Sequence, residues 1–374
     1  MPNTSQLTFT RFSAALTVVI FHYGSKIFPF NIYPFSQLIP TGHIFVSYFF
    51  TLSGFIMMLA YWPSAEKFQP LRYWVFRLAR IYPVYLLGLT LTILLNPRFL
   101  HEPTAIVLNL TLLQAWRPPY PNSLNYPGWS LSVEAFFYLL FPLILFIARR
   151  LSLRVSAILL FSFWGASMAG HSYLLKNWYT GFPSFTHDVL FYNPVFHLNA
   201  FLLGALAGRW MLEHGQTLRA RPRLNAALLL ASLLLIMFSL LYLKDFLKDN
   251  FGIRMALTNG ILAPIFIVFI TSLALDQSWL ARLLQKPGFV LLGDASYAIY
   301  ILQYPVHMFY KAYIEPRLSN WSNEAHFCAY LLLLILVSIG TFLWMEAPAR
   351  EAMKQFYNRL SRKASTRLVE SVQR

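Results

Sequence analysis

Arg11 and His22 attract attention because both lie inside one apolar segment, LTFTRFSAALTVVIFHYG. A charged side chain at the centre of a membrane helix costs about 2.5–3.5 kcal/mol on insertion scales. Eleven helical residues turn through about 1100°, so the two side chains face the same way, about 16.5 Å apart along the axis. With Arg11 at the membrane surface, His22 would lie near the middle of a hydrocarbon core about 30 Å thick. An imidazole at that depth predicts a reaction centre or a proton path.

Two further arginines share one helix face. Arg77 and Arg80 lie at positions i and i+3 in FRLARIYPVYLL, where the third apolar segment begins. Guanidinium groups form paired hydrogen bonds with phosphate oxygens, so the pair predicts a phosphate-binding mouth on the cytoplasmic side. The alternative is a basic flank whose side chains extend to lipid headgroups.

One carboxylate interrupts the apolar segment WSLSVEAFFYLLFPLIL. Glu134 follows Trp129 by five residues, which places it about 7–8 Å below the outer membrane boundary. His22 should lie about 13–14 Å below the same boundary. At nearly the same depth, the two side chains could meet if the spans at 7–28 and 129–148 are neighbours, and the carboxylate would then orient the imidazole and stabilise its charged form. A purely structural ion pair is the alternative.

Two other patterns suggest either a lined pathway or simple packing. Tyr297, Tyr300, Tyr304 and His307 recur at helical spacing in GDASYAIYILQYPVHMFY, which fits a polar stripe or aromatic packing. The pair at 53–54, Ser followed by Gly, predicts close approach of another helix.

The amino-acid composition indicates that these residues are carried by membrane helices. The chain has 374 residues, of which 57% are hydrophobic and 12% charged, whereas soluble proteins carry about 25% charged residues. Apolar segments long enough to cross a bilayer recur along the chain, so we predict an all-α integral membrane protein rather than a soluble α/β enzyme. About ten transmembrane helices are expected, at 7–28, 43–61, 78–95, 129–148, 155–174, 190–210, 224–243, 254–275, 288–313 and 326–345.

The distribution of basic residues predicts the orientation. Most of the 30 Lys and Arg residues fall in cytoplasmic regions if both termini are cytoplasmic and the apolar stretch 104–116 does not cross. That stretch is therefore predicted to be re-entrant or interfacial. Residues 7–346 form the predicted transmembrane domain, and 347–374 a basic cytoplasmic tail. The net charge of +16 is then explained by cytoplasmic loops, without nucleic acid as a partner.

Several kinds of site have no counterpart in the sequence. A single cysteine, Cys328, excludes an internal disulfide and a CxxC metal site. The sequence contains no HExxH, no Gly-rich phosphate loop and no GxSxG, so no metal cofactor is expected.

Six segments resemble the motifs of the acyltransferase-3 family of integral membrane acyltransferases, in the family's order. They are Arg11-x10-His22, FFTLSGFIM, FRLARIYPVY, WSLSVEAFFYLLFPL, LGDASYAIYILQYPV and MEAP at 345–348. Gln303 stands where many members of that family have histidine.

The resemblance implies transfer of an acyl group, usually acetyl, from a coenzyme A thioester to a carbohydrate hydroxyl. Typical acceptors are bacterial surface or exported polysaccharides, which implies the bacterial cytoplasmic (inner) membrane. We therefore expect Arg77 and Arg80 to hold the phosphates of acyl-CoA, and Arg11 to assist at the mouth. His22 is expected to act as general base and Glu134 to orient it or the sugar. Direct transfer and an acyl-histidine intermediate both remain open.

Two other classes of protein also place polar residues inside a membrane. A transporter of a glycan or a small anionic substrate would use them as a pathway. A polytopic scaffold would tolerate their replacement as long as the packing survives.

Overall fold

The computed structural model describes residues 4–357 and 359, and in these residues it contains helices and no β-strand. The prediction of an all-α membrane protein is confirmed. In chain order the α-helices are α1 (Ser5–Tyr23), α2 (Phe35–Leu38), α3 (Phe45–Tyr61), α4 (Pro70–Leu95), α5 (Pro103–Leu110), α6 (Trp129–Arg150), α7 (Leu153–Asn177), α8 (Phe185–Tyr192), α9 (Leu198–Arg219), α10 (Pro222–Phe238), α11 (Lys244–Phe251), α12 (Ala263–Leu275), α13 (Trp279–Leu284), α14 (Pro287–Asp294), α15 (Ser296–Phe309) and α16 (Asn323–Thr341).

Seven helical segments of the described chain are long and apolar enough to cross a membrane. They include α3, α4, α6, α7, α9, α10 and α16 and coincide with seven of the ten predicted spans. The other three predicted spans hold α1, α12 and the α14–α15 pair. Helix α12 has only 13 residues, because the preceding chain turns at Gly252 and Gly260 in left-handed conformations. The 288–313 segment is divided between α14 and α15 at Ala295.

The segment 104–116 does not cross the membrane. Its helix α5 has 8 residues and is about 12 Å long, too short for a core of about 30 Å. The chain then turns at Leu112, and the side chain of Gln114 donates hydrogen bonds to the Tyr85 hydroxyl at 3.0 Å and to the Gly128 carbonyl at 2.8 Å. The segment is thus folded against the protein, as predicted for a non-spanning stretch.

Helix α1 lies within the bundle and contacts α3, α12, α13, α14 and α15. At Gly293, at the end of α14, the missing side chain makes room for the Thr8 carbonyl of α1. Further along, His22 is hydrogen-bonded to Gln303, so α1 and α15 run in the same direction. Arg11 and His22 therefore face protein rather than lipid, which removes much of the cost of placing them there.

Helices α3 and α9 pack closely through glycines. A Cβ at Gly54 would clash with the Phe201 carbonyl oxygen, and a Cβ at Gly204 would clash with the Thr51 carbonyl oxygen. Backbone therefore meets backbone along this contact, as small residues allow in membrane helices. The predicted packing role of the 53–54 pair is confirmed.

The helix after α16 continues through a π-helical turn at Phe342–Glu346 and runs to Tyr357. The Tyr357 hydroxyl donates to Gln69 Oε1 at 3.2 Å, next to the start of α4. The predicted tail at 347–374 thus begins inside a helix, and its remainder lies outside the described residues apart from Arg359. Which side of the membrane the termini face stays a prediction.

Candidate active site

A polar concavity at the N-terminal end of α1, here called the arginine cavity, encloses about 760 Å³ of empty space. Helices α1, α3, α4, α6 and α15 supply its walls. The charged residues in its lining are Arg11, Arg77, Arg80 and Glu134. Four residues singled out by the sequence, from three separate helices, therefore meet in one place.

Arg77 is held by aromatic rings. Its guanidinium lies 5.4 Å from the ring centre of Tyr61, 5.7 Å from that of Tyr73 and 5.6 Å from that of Tyr138. Nη2 donates to the Tyr61 hydroxyl at 3.4 Å, whereas the buried Nε has no hydrogen-bond partner among the described residues. A buried N–H left in this state is ready to donate to a ligand. Arg80 lies one turn further along α4 and lines the same cavity.

Glu134 lies in the same cavity and not beside His22. Its Oε1 accepts hydrogen bonds from the Tyr138 hydroxyl at 2.5 Å and the Ser53 hydroxyl at 3.3 Å. In the part of the chain that the structure describes, no hydrogen bond joins Glu134 to His22, so the expected pairing of these two residues is not found. The carboxylate is turned toward α3 and its own helix, where it partly balances the arginines.

A buried carboxylate, Glu346, was not predicted from the sequence as a site residue, although MEAP was recognised as a motif. It is 2% exposed and interacts electrostatically with Arg80, Arg11 and Arg350. It ends the π-helical turn Phe342–Glu346, an irregularity often found at functional sites. Hydrophobic periodicity cannot reveal such a turn.

His22 lies beyond the arginine cavity and is bonded to α15. Its Nδ1 is 2.7 Å from Gln303 Oε1. The Gln303 amide is fixed by its other end, because Nε2 donates to the Tyr300 carbonyl at 2.7 Å. Only Oε1 can therefore face the imidazole, and an oxygen that accepts requires Nδ1 to carry the proton. The neutral ring then presents an unprotonated Nε2, the form a general base needs.

The imidazole stands between two concavities. Tyr300 lines the arginine cavity and precedes Gln303 by three residues, about 4.5 Å along the helix. Tyr23, the neighbour of His22, lines a second cavity at the C-terminal end of α1. The ring of Tyr126 lies 4.9 Å from the imidazole centre.

The residues of the predicted α15 stripe are divided between these places. Tyr297 and Tyr300 line the arginine cavity, and the Tyr297 hydroxyl donates to the Ile81 carbonyl at 2.5 Å. Tyr304 packs on Tyr126 with ring centres 4.9 Å apart, and His307 lines the second cavity. The four residues are thus spread along α15, with Tyr297 and Tyr300 at one cavity and His307 at the other.

Within residues 4–357 and 359, no group of three or more His, Cys, Asp or Glu side chains could hold a metal ion.

Comparison with known proteins shows that the chain is similar to acyltransferases. A family model described as an acyltransferase domain matches residues 5–343. An acyltransferase of Streptomyces mycarofaciens, MdmB, is 34% identical over 163 residues, which is 40% of this chain and 41% of that protein. A putative acetyltransferase of Acidianus two-tailed virus is 25% identical over 305 residues, 80% of this chain and 81% of that protein.

A putative O-acetyltransferase of Staphylococcus aureus (strain COL) is 22% identical over 358 residues, which is 90% of this chain and 56% of that protein. The matched region thus spans about two fifths of the Streptomyces protein and just over half of the staphylococcal one. No solved structure matches the chain.

Proposed function

Because the chain belongs to the acyltransferase-3 family and is therefore an acyl-transferring membrane enzyme, we propose that it is an O-acyltransferase that moves an acyl group, acetyl in the simplest case, from acyl-CoA to a carbohydrate hydroxyl. The observation that supports this most is the position of His22. Its Nδ1 is held by Gln303, and its ring stands between the arginine cavity and the cavity lined by Tyr23. A donor in the first cavity and an acceptor in the second would approach one base from opposite ends once the side chains between each cavity and the imidazole move.

The arginine cavity is the proposed donor site. Three guanidinium groups outnumber the two nearby carboxylates, Glu134 and Glu346, and leave a net positive field that attracts phosphate. Arg77 and Arg80 bind the phosphates of acyl-CoA, and the partnerless Nε of Arg77 gives one donor that is already oriented. Arg11, on α1, lines the same cavity and assists at its mouth.

His22 is the proposed general base. Its Nε2 takes the proton of the acceptor hydroxyl while that oxygen attacks the thioester carbonyl carbon. A C–O bond forms, the C–S bond breaks, and the thiolate of coenzyme A leaves and recovers the proton from Nε2. Through its amide oxygen, Gln303 keeps the imidazole in the required tautomer and orientation.

Glu134 acts as a positioning residue. It accepts a hydrogen bond from the hydroxyl of Tyr138, whose ring packs against the Arg77 guanidinium. The carboxylate therefore fixes the tyrosine, and the tyrosine fixes the arginine. This replaces the expected contact between Glu134 and the imidazole.

A cytoplasmic donor and an acceptor at the opposite membrane face fit a surface or exported polysaccharide in a bacterial cytoplasmic membrane. With the arginine cavity facing the cytoplasm, acyl-CoA enters there, and the sugar arrives at the Tyr23 end of α1. The acyl group then crosses the bilayer without the coenzyme.

The test compares cells that lack the gene with cells that carry the wild type, His22→Gln or His214→Gln. His214 is exposed and lines neither cavity, so it serves as the matched control. Mass spectrometry of glycans and small metabolites should show an acyl-sized mass gain with the wild type and the control only. Substrate movement without any mass gain would instead identify a transporter. Full activity of His22→Gln at normal protein level would show that His22 is not the general base.

A further inference from the structure

The second cavity, here called the Tyr23 cavity, encloses about 670 Å³ of empty space at the C-terminal end of α1. Its walls come from the end of α1, the π-helical turn Tyr310–Ile314 after α15, and the start of α16. It lies outside the proposed donor site and shares no lining residue with it.

Aromatic rings form the inner wall of the Tyr23 cavity. The rings of Tyr23 and His307 are stacked with centres 4.1 Å apart, and Tyr330 meets His307 edge-on at 5.2 Å. The Tyr330 hydroxyl donates to the Gln303 carbonyl at 3.0 Å. The wall is thus bonded to the same residue that orients His22.

Polar groups stand around these rings at the outer part of the cavity. The Tyr310 hydroxyl and His326 Nδ1 are 2.9 Å apart, which fixes both side chains. Lys311 is paired with Glu315 at 2.6 Å, and Lys26 adds a further positive charge. Aromatic faces ringed by donors and acceptors suit a sugar, whose C–H face packs on a ring while its hydroxyls form hydrogen bonds. The excess cation favours a sugar with an anionic group.

A short barrier separates this cavity from the base. Tyr126 contacts the imidazole of His22 with ring centres 4.9 Å apart, and its hydroxyl donates to that of Tyr23 at 2.6 Å. A small movement of this hydrogen-bonded pair would bring a hydroxyl held in the Tyr23 cavity to His22.

We propose, on the basis of the function proposed above, that the Tyr23 cavity binds the acceptor as a sugar carrying a carboxylate or phosphate near Lys26. The sugar ring packs against Tyr23 and His307, and the hydroxyl to be acylated points toward Tyr126 and His22. A carboxylate belongs to an acidic sugar, and a phosphate to a sugar linked to a carrier lipid. Partition of the acylated product into the aqueous or the lipid extract distinguishes these two sources.

The test uses the single cysteine of the chain. Cys328→Ser gives a cysteine-free background, to which Asn323→Cys in the cavity wall or Asn320→Cys outside it is added. Intact cells are treated with the membrane-impermeant reagent sulfonatoethyl methanethiosulfonate. Both cysteines should be labelled, and labelling should reduce product formation to background only at position 323. Binding of coenzyme A to the purified protein should not change.

Charge is tested separately with Lys26→Gln, and Lys248→Gln on the exposed helix α11 is the matched control. Loss of a charge-assisted hydrogen bond should raise the acceptor concentration needed for half-maximal rate about tenfold in the first variant only.

The outcomes separate the two proposals. If cells with the wild type form no acylated product, the proposed function itself fails. If the wild type is active but a cysteine at position 323 is not labelled, or is labelled with full activity, the Tyr23 cavity is not the acceptor site. If Lys26→Gln does not change the acceptor concentration needed for half-maximal rate, the acceptor carries no anionic group near Lys26.

Discussion

The side-chain oxygen of Gln303 lies 2.7 Å from Nδ1 of His22 and ties α15 to α1 in the middle of the bundle. The amide cannot turn round, because its nitrogen donates to the Tyr300 carbonyl. Gln303 is fully buried and His22 is partly buried, so water competes little for the amide oxygen. A neutral amide thus sets the tautomer of the base without adding a negative charge to the bundle.

The first prediction concerns this contact. Gln303→Met keeps the volume but removes the acceptor, so the imidazole can adopt the wrong tautomer. We expect the turnover rate to fall about 10- to 100-fold while the KM for acyl-CoA stays constant, because the donor site is not touched. Gln303→Glu restores an acceptor for Nδ1 and should recover most of the rate. Initial rates of product formation measure both effects, and equal rates in the two variants would contradict the role of the oxygen.

The second prediction concerns the donor site. Arg77→Lys and Arg80→Lys retain the charge but lose the planar fork that binds two phosphate oxygens. The KM for acyl-CoA should rise about tenfold in each variant, with a smaller effect on turnover. Arg72→Lys is the control, since Arg72 is exposed on the same helix and does not line the cavity. If all three variants keep the wild-type KM, the arginines only flank the membrane.

The third prediction follows from the chain of contacts from Glu134 through Tyr138 to Arg77. Tyr138→Phe removes the hydroxyl that donates a hydrogen bond to Glu134. Glu134→Gln removes the negative charge of the group that accepts this bond. Each change should raise the KM for acyl-CoA several-fold. The double variant should be no worse than the more severe single one, because residues in one network are not additive. Fully additive losses would show that the two residues act separately.

The long apolar segments were enough to predict the helices, because their length and composition are read directly from the sequence. The sequence also predicted four residues of the arginine cavity, because an ionisable side chain in a membrane helix is costly and usually has a function. These residues are Arg11, Arg77, Arg80 and Glu134. Their meeting in one cavity depends on how the helices are arranged around the bundle. The sequence carries no direct signal for that.

Three features of the site could not be inferred from the sequence. Depth along the helices placed Glu134 near His22, but depth does not tell which way a helix faces, and Glu134 turns to Tyr138 and Ser53 instead. Gln303 was seen as a departure from the family pattern, yet its bond to His22 joins residues 281 positions apart. Glu346 was placed in a motif but given no role, because a π-helical turn breaks the period from which faces are inferred.

The last prediction tests the close contact between α3 and α9 that positions the wall of the arginine cavity. Gly204→Ala adds a Cβ that collides with the Thr51 carbonyl oxygen, which is backbone and cannot move aside alone. The two helices must separate, at an expected cost of about 1–3 kcal/mol in the free energy of unfolding.

Gly165→Ala is the matched control, because a Cβ there meets nothing within 4 Å. It should be neutral or slightly stabilising, since alanine favours helix over glycine by about 0.5–1 kcal/mol. The melting temperatures of the detergent-solubilised proteins compare the two. Because α3 also carries Ser53 into the cavity, Gly204→Ala should weaken acyl-CoA binding as well, whereas equal stability and binding in both variants would show that the helices do not pack this closely.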